Sequence, residues 1–142
     1  MKKHLNVVLA AWILFLLDQL TKYLFYDESL FEKRGLFHPA FNTGVSRSVQ
    51  IPLVFIILIA GLALWAFVIA YQKKYFTWIV FSLLLAGTLG NLVDRVFLDG
   101  VRDFLYIGSR FPVFNLADIY LNVGVCLFII PEFFAWKGKA KS

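Results

Sequence analysis

The chain has 142 residues, 61% of them hydrophobic, a mean hydropathy of +0.76 and a formal net charge of +5. Soluble domains stay near about half apolar, so the excess excludes an ordinary aqueous fold, and the length suits a single domain over residues 1–142. The lysines gather at the chain ends and in one short loop, leaving no basic stripe of the kind that binds nucleic acid.

The start, Met1-Lys2-Lys3 before an apolar run, imitates a secretory signal peptide. The run continues to Leu17 and meets Asp18 and Lys22 without a small-x-small cleavage site, which predicts a retained first helix. Four spans are expected, over about residues 5–25, 51–71, 76–98 and 113–136, with Pro52 in the first turn of the second and Pro131 bending or ending the fourth. Each is roughly 20 residues, the length that crosses a hydrocarbon core of about 30 Å. The first outer loop, residues 26–50, mixes charges with Phe31, Phe37, Phe41 and the turn formers Gly35, Pro39 and Gly44, a pattern for short extended segments on the membrane surface. Lys2 and Lys3, Lys73 and Lys74, and Lys137, Lys139 and Lys141 all fall on one side of a four-span chain. The positive-inside rule makes that side, and both termini, cytoplasmic.

Charges inside a membrane are expensive and usually functional. Asp18 and Lys22 share a helix face near the outer end of the first span, as an ion pair or as support for a site. Near the outer end of the third span stand Gly87, Gly90, Asn91, Asp94 and Arg95. The glycines admit a close neighbouring backbone, and Asn91 and Arg95, four apart, can face one cavity or clamp helices together. Asp94, with Arg95 beside it and Asn91 one turn back, reads as a permanently ionised structural carboxylate. Asp99 reads as a solvated loop charge.

Asp103 follows the third span, and Asp118 falls one or two turns into the fourth, so both lie at the same outer level. The stretch between them is long enough to fold back and bring the two carboxylates together. Two close carboxylates in a low-dielectric site share a proton. The ionised one can deprotonate water while the protonated one polarises a peptide carbonyl. No alternative constellation competes: Cys126 sits in an apolar run as a small hydrophobe, and His4 and His38 lack metal-ligand spacing. No metal and no cofactor are expected.

Taken in order, Asp18-Gln19-x-Thr21-Lys22, Phe41-Asn42-Thr43-Gly44, Gly90-Asn91-x-x-Asp94-Arg95, Gly100-Val101-x-Asp103-Phe104 and Phe114-Asn115-x-Ala117-Asp118 resemble the motifs of lipoprotein signal peptidase (signal peptidase II). The resemblance runs through most of the chain. It implies a membrane all-α fold, a four-transmembrane-helix bundle with a small extracytoplasmic β-cradle and a mobile outer loop. It implies an aspartic endopeptidase of the bacterial inner membrane that removes the signal peptide from diacylglyceryl-modified prolipoproteins, N-terminal to the lipidated cysteine. By the same resemblance Asp103 and Asp118 are the catalytic dyad. Asn42, Gly44, Asn91, Asp94, Arg95 and Asn115 line or hold the site, supported by Asp18 and Lys22. The expected partners are a lipid-modified precursor and membrane lipid, with the enzyme a monomer. Departures from the family pattern are Val45-Ser46-Arg47-Ser48 where Ala-Phe-Ser is usual, Ala86 in place of glycine, and a shorter connection from Asp103 to Asp118. A transporter would instead spread acidic residues through the membrane depth, and an inactive homologue would keep the fold without the chemistry.

Overall fold

A computed structural model describes residues 2–26, 35–44 and 52–139, with the side chains of residues 2–4 and 132–139 outside the description. Arg47 and Phe31 therefore lie outside the described residues, as does most of the stretch 26–50. Four helices and two short strands follow in the order α1 (Lys2–Phe25), β1 (Phe37–Asn42), α2 (Leu53–Gln72), α3 (Trp78–Leu98), β2 (Val101–Leu105) and α4 (Leu116–Lys139).

In hydrocarbon every backbone N–H and C=O must be satisfied within the segment, which is why these apolar runs become helices. Among the described residues, three helices are long and apolar enough to cross a membrane: Leu5–Phe25, Leu53–Gln72 and Trp78–Leu98. The fourth carries a shorter apolar stretch, Leu116–Pro131, within a 24-residue helix. It begins three residues later than the sequence pattern indicates, and it continues through Pro131 to Lys139. Pro52 precedes α2 as its N-cap rather than lying in its first turn. Thr77 caps α3, its hydroxyl accepting from the Val80 N–H at 3.3 Å. Asp99, exposed as expected, ends α3 in the left-handed conformation at φ 58°, a position its short polar side chain tolerates.

The centre of the bundle is α3, packed against α1, α4 and α2. Close approach to α4 depends on Gly87, where an added Cβ would stand 2.6 Å from the Ala117 carbonyl oxygen. No residue of α2 is buried by protein. Its apolar surface fits a lipid solvent, in which exposed Leu, Ile and Phe carry no penalty.

At one end of the bundle β1 and β2 pair antiparallel, with Ala40 opposite Asp103 and Asn42 opposite Val101. The register slips between Phe37 and Ala40, where Pro39 offers no ladder N–H. Past β2 the chain folds back, and Phe114 bridges to Leu105 before α4 begins. The sheet rests on the end of α1 through Phe25, which stacks on Phe37 at 4.7 Å and Phe104 at 5.6 Å. β2 is a strand that the sequence pattern did not announce.

Gly87→Ala is expected to destabilise the bundle by about 1–3 kcal/mol, because the backbone carbonyl it meets cannot move aside. Thermal unfolding in detergent checks this, with Gly61→Ala, which meets nothing within 4 Å, as the comparison.

Candidate active site

The reversal at Asp99-Gly100 and the fold-back at Phe114 bring the end of α3, β2 and the start of α4 to one cavity of about 530 Å³. Its polar wall is formed by Asn42, Asn91, Arg95, Asp103 and Asp118, and its apolar wall includes Ile107, Phe111, Val113 and Phe114. Asp103 is 3% exposed and comes from β2. Asp118 comes from the first turn of α4, nearer the helix start than the sequence pattern indicates. A second, largely apolar groove of about 390 Å³ runs between α2, α3 and α4 and reaches Asn91, Arg95 and Asp118 from the other side.

Three asparagines direct their amides at the two carboxylates, and in each case an obligate donor fixes which way the amide faces. The Lys22 ammonium can only donate, so the Asn91 Oδ1 faces it at 3.0 Å and the Asn91 Nδ2 donates to Asp118 Oδ1 at 2.8 Å. The Asp118 backbone N–H donates to Asn115 Oδ1 at 3.1 Å, which turns Asn115 Nδ2 to Asp103 Oδ1 at 2.6 Å. The Gly44 backbone N–H donates to Asn42 Oδ1 at 3.1 Å, turning Asn42 Nδ2 to Asp103 Oδ2 at 3.2 Å. Asn115 also lends its backbone N–H to Asp118 Oδ2 at 3.1 Å. The Asn115–Asp118 exchange is thus a capping box that starts α4 and locks Asp118 in place.

Burial pushes the Asp103 carboxyl up to about 7, helped by the negative charge of Asp118 and opposed by the Asn42 and Asn115 hydrogen bonds and the Lys22 charge.

Behind the cavity lies a closed ring of polar groups, with Asp18, Lys22 and Asp94 buried and Gln19 and Arg102 half-buried. Lys22, wholly buried, pairs with Asp18 at 2.8 Å and Asp94 at 3.5 Å, and donates to the Gly90 carbonyl at 3.2 Å. Asp94 is gripped by Arg102 through Nε at 3.2 Å and Nη2 at 2.8 Å. Arg102 also donates to Gln19 Oε1 at 2.9 Å, and Gln19 Nε2 returns to Asp18 Oδ2 at 3.1 Å. Asp18 Oδ1 accepts from the Ala117 N–H at 2.8 Å, so the first helix satisfies one of the free donors at the start of the fourth.

All ten residues singled out from the sequence have a place here. Asn42, Asn91, Arg95, Asp103 and Asp118 line the cavity, Asn115 and Gly44 hold it, and Asp18, Lys22 and Asp94 stand behind it. Asp94 is held by Arg102 and Lys22 instead of the adjacent Arg95 that the sequence pattern indicates. On a helix, consecutive residues point about 100° apart. Arg95 instead donates to the Asn91 carbonyl at 3.4 Å and turns to the cavity. Arg102 and the bridging role of Gln19 were missed. Once β2 is known to be a strand, alternation around Asp103 puts Arg102 on the face away from the cavity, but nothing in the sequence announced that strand.

Removing one partner of a buried ion pair leaves an uncompensated charge. Lys22→Met is expected to cost about 3–5 kcal/mol, read as a lowered melting temperature in detergent.

The family model described as "Signal peptidase (SPase) II" matches residues 10–134. The lipoprotein signal peptidase of Aquifex aeolicus is 34% identical, over 84% of this chain and 81% of its own. That of Borrelia garinii is 30% identical, over 94% and 92%. A bacterial membrane enzyme solved by the in meso method at 2.3 Å superposes with a TM-score of 0.81 and 31% identity, over 94% of this chain and 91% of that one. A second, solved by the same method at 1.9 Å, gives a TM-score of 0.77 and 33% identity, over 89% and 91%. Matched from end to end in both sequence and fold, this chain belongs to the signal peptidase II family of aspartic peptidases and is a multi-pass bacterial membrane enzyme.

Proposed function

We propose that this signal peptidase II hydrolyses diacylglyceryl-modified prolipoproteins N-terminal to the lipidated cysteine, using Asp103 and Asp118 as a proton-sharing dyad. The observation that carries the reading is the convergence of two carboxylates, from a strand and from a helix start, on one cavity with Asn115 bonded to both. Asp118 accepts from a backbone N–H and the Asn91 amide at the N-terminal end of a helix, and in this reading it is the base. Asp103, whose carboxyl burial raises to about 7, is in this reading the member that brings the proton.

In this mechanism Asp118 takes a proton from water as the water oxygen bonds to the scissile carbonyl carbon. Asp103 gives its proton to the carbonyl oxygen, and a neutral tetrahedral diol results. Asp118 then passes its proton to the cysteine nitrogen as the C–N bond breaks, and Asp103 recovers one from the diol. Each carboxyl ends in the state in which it began, and the products are the signal peptide acid and the free amine of the lipidated cysteine.

The setting suits such a substrate. Apolar surface flanks the dyad on two sides, in the cavity wall and in the groove beside α2, and it can take the signal helix and the acyl chains. Lys73 and Lys74 follow α2 at the end remote from the sheet, consistent with cytoplasmic termini and a site near the outer leaflet. Water reaches that depth and the peptide bond need not enter the bilayer centre.

Cleavage of a lipid-modified precursor by purified protein tests the reading. Asp103→Asn and Asp118→Asn, folded as judged by thermal melting, are each expected to lose roughly 10²–10⁴-fold in rate. The same precursor without its lipid is expected to be cut far more slowly. If either variant cleaves at the wild-type rate, the dyad assignment falls. A second expectation concerns pH: the reaction needs Asp103 protonated, so kcat/KM should fall as pH rises through about 7. A rate still climbing well above that pH would assign the acid to another group.

A further inference from the structure

Arg102 touches no part of the cavity, yet it makes four hydrogen bonds, three to Asp94 and one to Gln19. We propose that Arg102 is a positioning residue for the hydrolytic reaction, holding Asp103 in place from the back of β2 and completing a ring of zero net charge whose three other charged members are buried. The inference rests on Asp103 being a dyad member.

Strand alternation is the first support. Consecutive side chains leave a strand on opposite faces, so Arg102 reaches α1 and α3 while Asp103 faces the cavity. The strand is only five residues long in a two-stranded sheet, an arrangement with little rigidity of its own. Arg102 ties it to the bundle twice: its backbone N–H donates to Asp94 Oδ2 at 3.0 Å, and its planar guanidinium spans both oxygens of that carboxylate. Sliding of the strand would break this set of bonds together.

Charge is the second support. Asp18 and Asp94 carry two negative charges, and Lys22 and Arg102 carry two positive ones. Loss of Arg102 leaves one uncompensated negative charge behind Asp103. The other groups about Asp103 are Asp118 from α4, Asn42 from β1 and Lys22 from α1, with Arg95 of α3 sharing the cavity. An added negative charge opposes ionisation of Asp103 and therefore keeps its proton to higher pH.

The test compares Arg102→Gln and Arg102→Lys with wild type and Asp103→Asn, on a lipid-modified precursor across pH, with rates normalised to folded protein. Arg102→Gln should lose roughly 10- to 100-fold in kcat with KM within about twofold, and the alkaline limb of kcat/KM should move up by about half a pH unit or more. Arg102→Lys keeps the charge without the fork, so its limb should stay at the wild-type position while kcat falls less. Wild-type kcat and an unmoved limb in folded Arg102→Gln would overturn the proposal, as would a loss confined to KM. Should Arg102→Gln fail to fold, Arg102→Lys decides: reduced kcat at unchanged KM supports the proposal, and wild-type kcat overturns it. If Asp103→Asn itself cleaves normally, the dyad reading fails, whatever the Arg102 variants do.

Discussion

A lysine ammonium with no exposed surface, set among apolar helices, has to be neutralised and fully hydrogen-bonded or the bundle does not assemble. Lys22 meets that condition only where α1 and α3 place Asp18, Asp94, the Gly90 carbonyl and the Asn91 amide around one nitrogen. Several other choices follow from it. Gly90 has no side chain because a Cβ there would come within 2.5 Å of Asp18 Oδ2. Asp18, held by Lys22, is free to take the Ala117 N–H and so fixes where α4 begins. Asn91, its oxygen committed to Lys22, has one orientation left for its amide nitrogen, and that orientation meets Asp118. One buried cation thus aligns three helices and orients a group in the cavity.

The same side-chain chemistry serves two ends within a few residues. Asp18 and Asp94 are surrounded by cations and donors and act as struts. Asp103 and Asp118 receive neutral amides instead, and they face a cavity with an apolar wall. An amide holds a carboxylate in place without adding a full charge, so proton exchange between the two remains possible. The proposed dyad differs from the struts in what it is hydrogen-bonded to, neutral amides in place of cations, more than in the depth at which the carboxylates sit.

Much of this was visible in the chain of letters, and what was hidden was hidden for identifiable reasons. Hydropathy showed the membrane helices because lipid imposes one rule on every backbone group in them. Spacing put Asp18 and Lys22 on one face, since i and i+4 share it whatever else is present, and in the structure they pair. The motif order pointed to Asp103 and Asp118, and chain length alone showed that the segment between them could return. Tertiary partners were less accessible. Asp94 has Arg95 next to it in sequence, but its guanidinium partner is Arg102, reached only after α3 ends and the chain reverses at Asp99 and Gly100. β2 carries no signal of its own, because its ladder partner is β1, some 60 residues earlier by numbering. The exact start of α4 depended on the Asn115–Asp118 cap, which competes with the apolar run that begins at Val113.

The unequal burial of the helices has a mechanical consequence. Charged and amide contacts staple α1, α3 and α4 together at the sheet end, while α2 offers no buried residue and forms one wall of the groove beside Asp118. Stiffness is therefore concentrated around the carboxylates and compliance is concentrated in α2. A helix that packs on one neighbour and shows the rest of its surface to lipid is open to that solvent: the thickness, order and lateral pressure of the surrounding lipid act on the groove wall directly. The width of the groove is therefore expected to depend on the bilayer as well as on the protein, and to differ between a detergent micelle and a membrane.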